Sequence, residues 1–529
     1  MWRVLAACFA LALGRPCWPA EFDILISGGR LIDGAGTPSR YGDLAIRGDR
    51  IAAIGDLSGA SASLRIDAKG RAVAPGFIDI HSHARWGIFD HPAAENYIRQ
   101  GVTTVIDGND GDAPVAIGRF LDRLSGLPIA LNFGIFAGQG SIREAVLGDQ
   151  NRPATQQEIR RMQALVRRAM LEGAFGLSTG LFYVPGSYTP TEEIVALARV
   201  AGELGGIHIS HLRDEAGNVL QSVEETIRIG EEGGLPTQVT HHKIIGATNW
   251  GKSRATLALI ERARARGVDV SIDAYPYTAS STSLAAALFP QGALAGGQAA
   301  LAGRLADPAQ RSGLKTAVAG RIRNERGGGD PARVVLAECP SEPGLNGKTL
   351  AEVTAARGRQ PTIENAAETA IEIERRGDCT GIFHAIAEED VERILLSPLT
   401  MIASDGEIPA ATGVPHPRSY GTFARVLGVY VREKRLLTIE EAVRKMTSLP
   451  AARLRLPDRG LLRPGMMADI VVFDPAAVAD RATFLNPRQF AAGFDDVLVN
   501  GKPVIHKGAL TPARPGRVLH GPATRASIK

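Results

Sequence analysis

The segment Pro75-Gly76-Phe77-Ile78-Asp79-Ile80-His81-Ser82-His83 ends an apolar run with two imidazoles two residues apart. In an extended chain such residues face the same side, so both rings can reach one metal ion. Further donors follow other short apolar runs: Asp110 in Gly108-Asn109-Asp110-Gly111, His211 in Ile209-Ser210-His211-Leu212-Arg213, His241 in Thr240-His241-His242-Lys243, and Asp405 in Ser404-Asp405-Gly406. The chain holds 11 histidines, and four of them, with two aspartates, sit at the ends of five separate runs. Imidazole and carboxylate donors converging in this way are the donor set of a hydrolytic metal centre, where the ion acidifies a bound water and polarises a carbonyl.

The elements that must hold these groups are legible as eight apolar runs: 73–80, 102–107, 129–136, 175–179, 206–210, 236–240, 268–273 and 399–404. Helix signals lie between them. Thr155 and Glu158 have capping-box spacing before Ile159, Met162, Val166, Ala169 and Met170 at helical intervals. Eight strands alternating with helices predict an α/β fold of the (β/α)8 TIM-like barrel type, whose chemistry sits at the C-terminal strand ends. Short Gly-punctuated strands at 22–67 recur at 469–505, where Asn500-Gly501 marks a hairpin turn. They predict a small β-sandwich built from both termini. The resulting division is a leader at 1–20, a β unit from 21–72 and 451–529, and a barrel at 73–450. The Ala- and Gly-rich stretch at about 284–347 reads as an insertion before the last barrel strand.

Met1-Trp2-Arg3 followed by apolar residues 4–13 has the charged start and short apolar core of a secretory signal. This predicts a secreted or periplasmic protein, and removal of the leader leaves Cys339 and Cys379 as one possible disulfide pair. No other run reaches the roughly 18 apolar residues of a membrane span, so no membrane partner is expected after signal removal. Net charge is +4 with basic and acidic residues interspersed, which gives no footprint for nucleic acid. A small-molecule substrate is expected. The oligomeric state is left open.

The chain resembles the N-acyl-D-amino-acid deacylase (D-aminoacylase) family of metal-dependent amidohydrolases. The resemblance runs from Phe22-Asp23-Ile24 and Leu31-Ile32-Asp33-Gly34, through Gly176-Leu177-Ser178-Thr179-Gly180, Asp273-Ala274-Tyr275-Pro276-Tyr277 and Pro415-His416-Pro417-Arg418, to Ala468-Asp469-Ile470-Val471-Val472-Phe473-Asp474. It implies one or two zinc ions and hydrolysis of N-acyl-D-amino acids to a carboxylate and a free D-amino acid. By motif position His211 and His241 match the tighter zinc site, His81 and His83 the second site, and Asp405 the catalytic acid/base. Lys243, Tyr275 and Ser281 match the groups that hold the substrate carboxylate, with Arg418 and Arg213 in reserve. His208, His242 and His416 read as packing or supporting histidines.

Three positions depart from the family pattern. Asp110 stands where Cys is common, Ala84-Arg85 where an Asp follows the His-x-His pair, and Gln139 where His is frequent. A carboxylate can bridge two ions, but it replaces soft sulfur by hard oxygen. Two related activities compete. A dipeptidase acting before a C-terminal D-residue would need Asp214 or Glu215 to receive an α-ammonium. A cyclic-amide hydrolase of the dihydroorotase or hydantoinase type would need a bridging Lys on the fourth strand, and 175–179 contains none.

Overall fold

The computed structural model describes residues 21–527, so the leader expected at 1–20 lies outside the described residues. Eight parallel strands carry the fold: Phe77–Asp79, Val102–Asp107, Asn132–Ile135, Gly176–Gly180, Ile207–His211, Thr237–Val239, Val270–Ala274 and Thr400–Ile402. Each pairs with the next in chain order, the third through its continuation Ala137–Gly138. Gly406–Glu407, just beyond the eighth strand, pairs with Ser82–His83, just beyond the first, and closes the ring. All eight expected runs therefore contain barrel strands.

Amphipathic helices cover the ring. Gln156–Glu172 starts at the expected Thr155/Glu158 capping box and buries Met162, Val166, Ala169 and Met170 on one stripe. The barrel interior is an apolar plug of Ile78, Ile80, Ile106, Phe136, Phe175, Ile207, Ile209 and Met401, packed with Leu454 and Leu456. On Ile207–His211, alternation puts Ile207 and Ile209 into this plug and lifts His211 above it on the same face.

Strands from both ends form one nine-stranded sheet. It curls until Arg50 bridges Met467, enclosing Ile24, Ile26, Leu44, Ile46, Ile470, Val472 and Leu498. The apolar run at 73–80 divides at Gly76. Ala72–Pro75 pairs with Ile470–Phe473 in the terminal sheet, and Phe77–Asp79 enters the barrel. The C-terminal portion is likewise shared: after Leu510 the chain returns beneath the barrel, where Gly516 N donates to the Ile129 carbonyl and Leu519 N to that of Phe133.

The insertion is larger than the stretch 284–347. Its sheet combines Ser280–Ser283, Val334–Glu338 and Thr380–Phe383, and its helices enclose a separate core around Leu288, Phe289, Leu301, Leu336, Ile371 and Phe383. The Cys339–Cys379 disulfide joins two of these strands at their ends. Among the described residues, no helix is long and apolar enough to cross a membrane.

Candidate active site

The strand ends bring His81, His83, Asp110, His211, His241 and Asp405 to one mouth of the barrel. They form two groups: His81, His83, Asp110 and Asp405, and Asp110, His211 and His241. Asp110 belongs to both. Its Oδ1 lies 3.5 Å from His81 Nε2, 3.3 Å from His241 Nε2 and 3.6 Å from His211 Nδ1, while Oδ2 lies 3.5 Å from His83 Nε2. Donors about 2.0–2.2 Å from a tetrahedral ion stand about 3.3–3.6 Å from one another. The separations fit that requirement. His81 Nε2 and Asp110 Oδ1 are buried and make no hydrogen bond with the described residues, which also fits donors directed at a cation.

Backbone geometry aims these side chains. Asp110, His241 and Asp405 all have positive φ, at 55°, 33° and 50°. Non-glycine residues occupy that region at a cost, and three of them in one mouth mark a site that surrounding structure holds in place. The Asp110 loop packs onto Gly180, where a Cβ would collide with the Asp110 carbonyl oxygen. Asp273, at the end of the seventh strand, accepts from His241 N at 2.7 Å and lies 3.5 Å from His81 Nδ1, tying the two groups together from below.

The left-handed turn at His241 also separates two adjacent histidines. His241 joins the cluster, whereas His242 Nε2 meets Thr256 Oγ1 at 2.7 Å and stays behind the barrel wall. His208 pairs with Thr179 and Thr237, and His416 Nε2 meets the Ala279 carbonyl. Gln139 donates to Thr189. Arg213 forks onto Glu225 and the Ser187 and Thr189 carbonyls, which removes it from the reserve candidates for the substrate carboxylate.

Above the clusters opens a cavity of about 630 Å³, lined by His83, Asp110, His211, His241 and Asp405 together with Lys243, Tyr275, Ser281 and Arg418. Asp405 Oδ1 is 3.1 Å from His83 Nε2 and 3.4 Å from His81 Nε2, and its Oδ2 is 2.6 Å from Arg418 Nη1. Burial alone would raise the Asp405 carboxyl, but Arg418 and His81 outweigh it and hold its pKa well below the usual range. Burial disfavours charge on His83 as well, yet Asp110 and Asp405 push its pKa up to about 9. The same negative field favours a dication.

Arg418 lies over the Tyr275 ring at 5.0 Å and its Nη2 reaches the Ser281 carbonyl at 3.5 Å. Lys243 lies 5.7 Å from the Tyr275 ring centroid. The Tyr275 hydroxyl is buried without a hydrogen-bond partner among the described residues. The four groups expected around a substrate carboxylate are thus assembled on one wall. Lys243 is not free, because Nζ stands 2.5 Å from Glu215 Oε1 and 2.8 Å from His241 Nδ1. Burial opposes the Glu215 charge, but Lys243, His211 and His241 bring its pKa down to about 2.

Glu215 and Arg326 are the functional neighbours that the strand-end pattern does not reveal. Arg326 comes from the insertion, is buried, and approaches Glu215 Oε2 at 3.7 Å. Glu215, four residues past His211 in the loop after the fifth strand, was singled out from sequence only as a possible partner for an α-ammonium and not for this role. Arg326 has no comparable signal.

Residues 65–505 match the amidohydrolase family. The chain is 42% identical over 521 residues to the D-aminoacylase of Alcaligenes xylosoxydans xylosoxydans, covering 94% of this chain and 97% of that one. It is 38% identical to the N-acyl-D-glutamate deacylase of the same organism, covering 96% and 98%. Among solved structures, a D-aminoacylase described for its binuclear metal centre superimposes with a TM-score of 0.82 at 40% identity, over 94% of this chain and 100% of that one. The N-acyl-D-glutamate deacylase of Bordetella bronchiseptica, complexed with zinc and a phosphonate mimic of the tetrahedral intermediate, gives 0.81 at 37% identity, over 94% and 99%. With this similarity along nearly the whole chain and a His/Asp centre at the mouth of a closed barrel, the protein belongs to the amidohydrolase family.

Proposed function

We infer that the protein is a zinc-dependent N-acyl-D-amino-acid deacylase, which cleaves the amide to a carboxylate and a free D-amino acid. The observation that carries this reading is the sharing of Asp110 between two His/Asp groups, directly beside the Asp405–Arg418 pair in the cavity. The names of the relatives and the zinc of the Bordetella neighbour support it. His211, His241 and Asp110 would hold one ion, and His81, His83 and Asp110 a second. When bound, the metal supplies a Lewis acid and a water of lowered pKa.

The chain's own residues do the rest. Asp405, held ionised by Arg418, accepts a proton from the attacking water and returns it to the amine nitrogen, which leaves poorly as an anion. Tyr275, Ser281, Lys243 and Arg418 take the substrate carboxylate and fix the scissile bond over the centre. Glu215 keeps Lys243 charged and positioned. Because Glu215 is already engaged by Lys243 and approached by Arg326, it is a poor partner for a free α-ammonium, which counts against the dipeptidase reading.

The decisive experiment combines metal analysis of the purified protein with a panel of N-acetyl-D- and N-acetyl-L-amino acids. One or two zinc ions per chain and turnover confined to the D-series are expected. Turnover of the L-series alone, or of neither series by the zinc-loaded protein, would overturn the reading. We also infer a secreted or periplasmic location, which the Cys339–Cys379 disulfide supports because such bonds persist in oxidising compartments.

A further inference from the structure

Trp86 closes the three-residue turn Ala84–Trp86 that follows His83. It is 54% exposed, and among the described residues it is the one exposed large hydrophobic that lines the cavity. Its indole stacks against His83, with ring centroids 4.6 Å apart and planes at 14°. Phe182, the other large aromatic hydrocarbon on the wall, is buried against His211. Ile408 and Pro409 extend the apolar lining.

The turn is held rigidly. Arg85 N donates to Asp107 Oδ2 at 2.7 Å, its Nε to Asp107 Oδ1 at 3.0 Å and its Nη2 to Asp112 Oδ2 at 2.7 Å. Gly87 packs so tightly on the Ile408 carbonyl that a Cβ would collide with it. A fixed, half-bare aromatic surface inside a concave site binds apolar groups with little ordering cost.

We propose that Trp86 is a specificity-determining platform against which an apolar substituent of the amide substrate packs. The proposal rests on the deacylase reading. There the carboxylate belongs to the Tyr275 wall and the amide to the His/Asp centre, which leaves the acyl group and the D-side chain as the two parts that can reach Trp86. Both present the same chemistry, a flat or branched hydrocarbon surface.

The test compares wild type, Trp86→Ala and Trp86→Phe on N-acetyl-D-alanine, N-acetyl-D-phenylalanine and N-benzoyl-D-alanine, with metal content measured on each protein. Trp86→Ala should lower kcat/KM for one aromatic substrate by about 3- to 10-fold relative to N-acetyl-D-alanine, mainly through KM. Trp86→Phe should restore most of it. The substrate affected identifies the group on the platform. An equal loss on all three substrates, with or without metal loss, would mean that Trp86 only supports His83, and an unchanged profile would equally overturn the proposal. Binding is read separately in a Trp250→Phe background, where Trp86 is the last tryptophan beyond residue 20. A saturable fluorescence change on adding D-phenylalanine or benzoate is expected. Its absence with both would overturn the platform, whereas its presence in a protein that hydrolyses no N-acyl-D-amino acid would locate the failure in the deacylase reading.

Discussion

At the scale of single residues, Asp405 and Asp110 do different work with the same functional group. Asp405 divides its oxygens between the His81/His83 pair and Arg418, the arrangement of an acid/base kept ionised until substrate arrives. Asp405→Asn should lower kcat by about 10²–10⁴-fold, with thermal stability and most bound metal retained, and a variant keeping a tenth of wild-type turnover would refute the role. Asp110 serves both groups, so Asp110→Ala should reduce bound metal and activity together. Asp110→Cys should keep at least one zinc and measurable activity. Full metal content and turnover in Asp110→Ala would show that it is not a ligand. All six strand-end groups were legible because each follows an apolar run. The choice of His241 over His242 came from the resemblance and not from spacing, since adjacent residues differ only through the local backbone, and the positive φ at His241 accords with it.

At the scale of elements, the barrel strands were readable from hydrophobic runs, whereas the insertion was not. Its sheet joins 280–283, 334–338 and 380–383, segments too polar or too far apart to announce their pairing. Arg326 reaches the site from this insertion and was missed for the same reason. The insertion also buries Glu374, whose pKa is raised to about 8 by burial and by the nearby Asp378. The folded state therefore retains a proton that the unfolded chain releases near pH 4.5. The contribution of Glu374 to stability should fall as pH rises from about 4.5 through 8 and level off above that, because at this group the folded state holds more of the proton throughout the window. Glu374→Gln should remove this slope, raising Tm at pH 8 and leaving it unchanged at pH 4. Parallel Tm profiles for the two proteins would show that Glu374 ionises freely in the fold.

At the scale of the whole molecule, the described segments on either side of the barrel are bound to it and to each other. Matching strand texture at 22–67 and 469–505 foretold a joint sheet, but not the return of residues 511–521 beneath the barrel, a segment held by backbone hydrogen bonds rather than by an apolar pattern. The leader and the disulfide make a joint prediction about where this assembly forms. Cys339 and Cys379 are 40 residues apart and both buried, so their bond closes a loop around most of the insertion's second half. Loss of such a bond costs on the order of 2–4 kcal/mol, and the strands it joins carry Glu338 and Thr380 into the cavity wall. Expressed with residues 1–20 in place, the protein should reach the periplasm or medium without its first 12 or more residues and with Cys339 and Cys379 closed to thiol reagents. Made without the leader in a reducing cytosol, it should carry two free thiols and melt at a lower temperature until oxidised. Mass spectrometry that finds Met1 still attached to the exported form would refute the leader. Free thiols at Cys339 and Cys379 in that exported form would refute the disulfide, and an unaltered melting temperature on reduction would show that the insertion's core holds the cavity wall without it.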